Sequence, residues 1–461
     1  MTLGKRKDER QQDLFVTHDR LPRAPGHVFY RRLNQLLAEA GFDRWVENLC
    51  EPYYAREGRP SLPPGVYFRM LLVGYFEGIG AQRGIAWRCA DSLSLREFLG
   101  IPLGENSPDH SSLTYIRKRL SHEVHEAVFV WILALANEKK LLKGKTVGVD
   151  STTLEADAAM KSIVRRDTGE DWKQYLTRLM KEQGLIDDDD DPPSDADLRR
   201  FDRSRKDKQV SNDEWHSPTD PDARITRMKD GTTHLAYKAE HVVDLETEII
   251  VAAEIYPGDA HDAATLEDSV NQAQTNQREA GSETFIQDVA ADAGYHKNET
   301  LTDFREATPY RTYIPEPKSP HKRVWTDKPP KQRAAVEANR RRTRGVRGKR
   351  LQRWRSERVE RSFAHVCETG GARRSWLAGI ANVRKRYLIA AAAHNLGVVM
   401  RKLFGMGTPR GLQGFGSELW AAFRALDVVV TRIVDALSLR RAPLRNVRHD
   451  SINCEFCWRA L

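Results

Sequence analysis

Apolar residues recur at helical spacing through the first third of the chain. Phe29, Leu33, Leu36, Leu37 and Ala40 fall on one face of a helix near 28–40, and Gly41 supplies its stop. Pro63 and Pro64 open a second helix through 66–77, punctuated by Gly78, Gly80 and Gly84. Short helices are predicted over 85–90 and 95–99. Asn106-Ser-Pro-Asp-His110 makes a turn, and Asp109 or Ser111 can cap a helix over 111–120. A longer helix, about 122–142, ends at Gly144.

From Lys145 the period changes. Val147–Val149 reads as a strand. Further strands are predicted over 234–243 and 248–255, joined by a hairpin connection at 244–248. A turn at 258–262 leads into a helix through Gln274. A strand over 284–289, a helix over 299–306 and a strand over 311–314 follow. Strands before and after helices, with an early hairpin, predict an α/β sheet of mixed strand directions. The predicted division is a flexible arm at 1–25, a helical domain at 26–143, an α/β domain at 144–404 and a helical tail at 405–461. The α/β domain carries an insertion at about 160–230, within which 183–215 is expected to be poorly ordered. The run Asp187 to Asp191, followed by Pro192-Pro193, reads as a solvated loop within it.

Charge narrows the partner. Lys and Arg number 74 against 65 Asp and Glu, a net charge of +9, and the sequence pI is about 9.2. A polyanion is the expected partner. The positive charge is concentrated at 318–361, where 17 Lys and Arg meet only four acids. Trp325 and Trp354 lie in that stretch and can either stack on bases or pack. The most apolar run, 388–400, contains His394 and Asn395 and fits a core helix better than a membrane span. The first ten residues lack an apolar signal core. Five Cys do not suggest a disulfide framework, and a reducing cytoplasm is expected. Cys454 and Cys457 have half the spacing of a zinc site, and no second pair follows. Gly345-Val-Arg-Gly348 lacks the context of a phosphate loop.

Three carboxylates carry the candidate chemistry. Asp150 ends the apolar run Thr146-Val-Gly-Val, Asp292 precedes Ala-Gly-Tyr295, and Glu360 sits in Val359-Glu-Arg-Ser-Phe363. Two Asp at strand ends and one Glu on a helix can form an oxygen-ligand site for hard divalent cations. Each has a plainer reading: a strand-end cap for Asp150, a turn residue for Asp292, and a surface Glu paired with Arg353 or Arg361 for Glu360. Glu357 is the close rival for the third place. Arg117, Lys118 and Arg119 end the 111–120 helix, which suits a helix-turn-helix reader of the major groove or, equally, a solvated face of a helical bundle. Arg341, Arg342, Arg353 and Arg358 are the expected phosphate contacts of the basic stretch, and Arg355 is a further candidate close to Glu360.

Taken together these blocks resemble those of DDE-type bacterial insertion-sequence transposases. The resemblance rests on Val-Gly-Val-Asp150, Ala-Asp-Ala-Gly-Tyr295 and Val-Glu-Arg-Ser-Phe363. It extends to Leu62-Pro-Pro through Leu120, Pro218–Arg224, Gly258–Asp262 and Ala393-His-Asn-Leu-Gly397. It implies a helical N-terminal DNA-binding domain, a ribonuclease-H-like mixed-sheet catalytic core and a helical C-terminal part. It also implies Asp150, Asp292 and Glu360 as ligands of Mg²⁺, with Mn²⁺ a substitute. The implied partners are double-stranded DNA, as terminal inverted repeats and as target, and a second copy of the chain on that DNA. The chain departs from the family pattern at two places, with Cys367 seven residues after Glu360, where related enzymes often have Lys, and Ser356 four before it. A DNA-binding repressor without catalysis, or a metal-dependent nuclease without strand joining, are the alternatives.

Overall fold

The computed structural model describes residues 26–58, 60–187, 191–206, 211–228, 231–320, 323–326 and 328–409. The N-terminal layer is helical, as the apolar spacing predicts. It comprises α1 (Gly26–Glu39), α2 (Phe42–Cys50), α3 (Pro64–Glu77), α4 (Gln82–Ala90), α5 (Leu93–Leu99), α6 (His110–Arg119) and α7 (His122–Glu138). Helix α3 is buried on nearly every side, from Tyr67 to Phe76, and so forms the centre of this layer. Helix α6 starts on Asp109, whose Oδ1 accepts the Ser111 N–H at 2.9 Å.

The sheet follows. Its strands are β1 (Thr146–Glu155), β4 (Arg224–Arg227), β5 (Thr233–Asp244), β6 (Ile250–Pro257), β7 (Asp288–Ala290) and β8 (Arg311–Tyr313), with the two-residue strands β2 (Val164–Arg165) and β3 (Trp215–His216) paired apart from it. Across the sheet, β6 lies antiparallel to β5, β5 antiparallel to β1, and β1, β7 and β8 run parallel. This is the mixed sheet of a ribonuclease-H-like core. Strand β1 does not end at Val149. It continues to Glu155, with Asp150 opposite His241 and Glu155 opposite Ala236. Asp150 is therefore mid-strand, because Thr152, Thr153 and Leu154 suit the pleat and go on pairing. Strand β7 is shorter and later than the predicted 284–289.

The insertion is folded where it is described. Helices α8 (Trp172–Glu182) and α9 (Asp195–Ser204) enclose a small core of Leu176, Met180, Leu198 and Phe201. The expectation of poor order over 183–215 thus fails for α9. Its apolar positions 198 and 201 are one turn apart and close on Leu176 and Met180 of α8. Residues 188–190 of that run lie outside the described residues.

Helix α10 (Asp262–Glu279) follows β6, and α11 (Asn298–Ala307) links β7 to β8. Two basic helices, α12 (Pro330–Arg344) and α13 (Val346–Phe363), cross the sheet region. A π-helical turn, Ala364–Thr369, then leads to α14 (Ile380–Phe404). Helix α14 packs on α3, α7 and β6. Its Asn395 grips β6 through the Ile250 N–H (2.9 Å) and C=O (2.8 Å). Residues of the N-terminal layer and the sheet core therefore belong to one compact unit, which the chain leaves at Pro409. The expected arm at 1–25 and the tail beyond 409, with Cys454 and Cys457, lie outside the described residues. No helix among those described is long and apolar enough to cross a membrane.

Candidate active site

Parallel pairing of β1 with β7 puts Gly148 opposite Ala290. Two residues further along each chain stand Asp150 and Asp292, both half-buried. Asp292 leaves the strand and caps a short 3₁₀ turn, its Oδ1 accepting the Gly294 N–H at 2.8 Å. Asp150 Oδ1 accepts the Ser151 N–H at 2.8 Å, and its Oδ2 takes Arg355 Nη1 at 2.6 Å.

Helix α13 lies across these strands. Val359 is fully buried against β1, and a Cβ at Gly148 would come within 2.6 Å of Leu245 and 2.9 Å of Val359 side-chain atoms. Only glycine lets the helix approach so closely. Gln352 Nε2 reaches the Ala291 carbonyl at 3.1 Å, Arg347 bonds Asp288, and Ser362 Oγ meets His241 Nδ1 at 2.8 Å. The ring of Phe363 stacks on His241 at 4.0 Å. These contacts fix the helix from end to end.

Glu360 follows Val359 and is exposed. Its Oε1 accepts from Ser356 Oγ at 3.1 Å. Arg361 pairs instead with Glu248 and Glu357, both at 2.7 Å, so the plain surface pairing of Glu360 with Arg361 is not formed. Glu357, the rival, is engaged by that arginine. Asp150 and Asp292 thus each follow the paired Gly148 and Ala290 by two residues, but no three Asp, Glu, His or Cys side chains among the described residues are gathered closely enough to hold an ion. The donor set still fits a hard divalent cation. It is all carboxylate oxygen, and the Arg355 guanidinium on Asp150 shows that this carboxylate already takes a positive partner.

A further polar cluster, not anticipated from the sequence, borders the aspartates. Asp262, the first residue of α10, accepts Ser151 Oγ at 2.9 Å and is bridged by Lys238 Nζ at 2.8 Å. Lys238 also meets Glu240 at 3.2 Å, and Tyr295 OH donates to Glu240 Oε2 at 2.8 Å. Glu240 is wholly buried, and its Oε1 has no hydrogen-bond partner. A Cβ on Gly294 would lie 2.8 Å from Asp262 Oδ2 and 3.1 Å from Asp292 Oδ1, so both carboxylates border the same small residue. The available signal was a Lys and a Glu two apart, on the same face of a strand, between the apolar residues 235–237 and 242–243.

The basic residues divide. Arg117 is buried: its Nε donates to Asn382 Oδ1 at 3.3 Å, and burial draws its pKa down. It fastens α6 to α14, on the side of α6 that is turned into the protein rather than the exposed side expected from the sequence. Leu113 and Ile116 share its buried face, whereas Tyr115, Lys118 and Arg119 are exposed. Arg342 is half-buried, giving its Nε to the Thr312 carbonyl at 3.0 Å. Its Nη2 also goes to Thr312, at Oγ1 (3.1 Å). Arg341 and Arg353 are exposed. Arg358 stacks on Trp354 at 4.5 Å, with Nε and Nη1 lacking hydrogen-bond partners. Arg350 lies over the same ring at 5.2 Å, so Trp354 is occupied by arginines. Cys367 is buried beside Tyr387 in the π-helical turn, which removes its position from any phosphate-clamping role.

Residues 16–119 match the model of a transposase domain (DUF772), and residues 213–396 match that of a transposase DDE domain. The second match takes in Asp292 and Glu360, while Asp150 falls between the two. No curated protein and no solved structure matches the chain. The two matches together span more than half of the chain and meet a helical layer followed by a mixed sheet. The chain therefore belongs to the DDE transposases of insertion sequences, enzymes of DNA transposition.

Proposed function

We propose that Asp150, Asp292 and Glu360 supply the carboxylate ligands for Mg²⁺, with Mn²⁺ as a substitute, and that the chain cuts DNA at the ends of its element and joins the freed 3′ end to a target. The observation that supports this reading is the parallel β1–β7 register: Asp150 and Asp292 each follow the paired Gly148 and Ala290 by two residues, and α13, which bears Glu360, packs on β1. The bound cations would lower the pKa of an attacking water or 3′-hydroxyl and neutralise charge on the leaving oxygen. Glu360 lies on an exposed helical turn, so closing the site requires a side-chain rotation or a shift of α13 when DNA binds.

Exposed Arg341 and Arg353 would hold the phosphate backbone beside the site, and Lys118 with Arg119 would meet DNA on the helical layer. Two copies acting on the two inverted repeats would complete the assembly. The test is a strand-transfer assay with end-labelled repeat DNA and a plasmid target in Mg²⁺. The wild-type chain should give nicked or cleaved ends and joined products, and Asp292→Asn neither. Cleavage without joining would favour a nuclease. DNA binding with no product in either cation would favour a repressor.

A further inference from the structure

Arg355 holds the carboxylate that the proposed function assigns to a metal. Its Nη1 lies 2.6 Å from Asp150 Oδ2, with the two side chains 12% and 18% exposed. The guanidinium is not saturated, since its Nε is buried and has no hydrogen-bond partner. A guanidinium has five donors in a rigid fork suited to carboxylate and to phosphate alike. Its helix also carries exposed Arg353 and the Arg358–Trp354 pair, a face on which a DNA backbone is the natural guest.

We propose that Arg355 is a counter-ion shared between Asp150 and the DNA phosphate at the reaction centre. In the DNA-free protein it neutralises Asp150. When a divalent cation takes that carboxylate, the guanidinium turns to the phosphate oxygens that arrive with it. The inference rests on reading Asp150 as a metal ligand.

The exchange follows from electrostatics. Asp150 is half-buried, and its neighbour Ser151 is bonded to a second carboxylate, Asp262, so the charge of Asp150 needs compensation there. A divalent cation cannot settle on an oxygen already held by a guanidinium without the two positive charges repelling each other. Once displaced, the guanidinium needs an anion, and a phosphate is the one that DNA supplies. Cation and DNA are then linked: each strengthens binding of the other by the same factor. An empty active site is thereby kept from loading metal before substrate.

The test is a Mn²⁺ titration of the full chain followed by electron paramagnetic resonance, with and without a duplex carrying the element's terminal sequence. In the absence of DNA, Arg355→Gln should bind Mn²⁺ about tenfold more tightly than wild type, as expected if the Arg355 guanidinium has swung off Asp150 in about a tenth of wild-type molecules. The duplex should tighten Mn²⁺ binding by wild type and leave Arg355→Gln nearly unchanged. Arg355→Lys keeps the charge but loses the fork, so its DNA-free Mn²⁺ affinity should stay near wild type. Asp150→Asn should lose this Mn²⁺ site in every background. If Arg355→Gln and wild type bind Mn²⁺ equally while Asp150→Asn does not bind it, the shared-counter-ion role is overturned and the metal-ligand reading survives. If Asp150→Asn binds Mn²⁺ as wild type does, both fall.

Discussion

Ser151 Oγ donates to Asp262 Oδ1 at 2.9 Å, tying the residue after Asp150 to the first turn of α10. Lys238 completes this junction, because its ammonium sits between Asp262 and the buried Glu240. Removing one partner of a buried ion cluster leaves an uncompensated charge, which costs about 3–5 kcal/mol. Lys238→Met should therefore lower the thermal denaturation midpoint clearly. The double change Lys238→Met with Glu240→Gln should recover part of the loss. A double variant no more stable than Lys238→Met would show that Glu240 is not the group left unmatched.

Close packing of α13 on Gly148 gives a second expectation. A side chain at 148 would meet Leu245 and Val359 well inside contact distance. Overpacking of this kind costs about 1–3 kcal/mol and forces backbone shifts. Gly148→Ala should push α13 from β1, and the Glu360 carboxylate would move with it. Cleavage should fall far more than binding to repeat DNA, which can be read by comparing gel shifts with product yield in the same Mg²⁺ buffer. Equal losses in both would mean that the helix is not what aligns the reacting groups. Parallel assays of Glu360→Gln and Glu357→Gln decide the third ligand, and only the former should abolish cleavage.

Arg117 shows where sequence reading reached its limit. The spacing of Leu113, Ile116 and Leu120 gave the apolar face of α6 correctly, and Arg117 follows Ile116 directly. Its exposure depended on α14, whose Asn382, 265 residues later, takes the guanidinium and whose Lys385 bonds the Arg117 carbonyl. No local pattern reports such a partner. Asp150 and Asp292 were legible because each ends an apolar run that becomes adjacent parallel strands. Asp262 and Lys238 were not, since their charges matter only once β1, β5 and α10 meet. Arg355 was one of three arginines near Glu360 expected to meet phosphate, and only the fold distinguishes it as the one bonded to Asp150.

It follows that Arg117→Ala should behave as a core substitution. It strips a buried guanidinium from its Asn382 contact and leaves a space at the α6–α14 seam, so the melting temperature should drop while the ratio of affinities for repeat and scrambled duplex stays constant. Lys118→Ala, on the exposed face, should weaken DNA binding without a stability change. A shift in sequence preference from Arg117→Ala, at unchanged stability, would return the base-reading role to that residue.

The exposed arginines of the basic helices predict a salt effect. Each phosphate neutralised releases counterions, so log affinity falls with log salt at a slope of about 0.9 per contact on duplex DNA. Arg341→Ala with Arg353→Ala should reduce that slope by up to about 2 and weaken repeat and scrambled duplexes alike. Arg342→Ala, whose guanidinium is committed to Thr312, should leave the slope unchanged and reduce stability instead.

A last expectation concerns pH. Burial, and then the charge of Glu126, push the Glu254 carboxyl up to about 7, with Arg384 opposing and Glu240 and Asp268 adding to the rise. The folded chain therefore keeps a proton that the unfolded chain has lost. The stability this neutral carboxyl permits is complete below the unfolded value near 4.5 and is lost as pH rises through about 7. At 1.36 kcal/mol per pKa unit the whole effect is at most about 3 kcal/mol. Glu254→Gln mimics the neutral form, so it should match wild type near pH 4.5 and melt at a higher temperature at pH 8. The buried His125 and His394, both held down near 3 by burial, act with the opposite sign: their contribution is lost as pH falls from about 6.5. They affect wild type and variant equally, so the difference between the two melting curves isolates Glu254. A difference that stays flat from pH 5 to 8 would mean that Glu254 ionises normally in the folded chain, with solvent or Arg384 outweighing the burial.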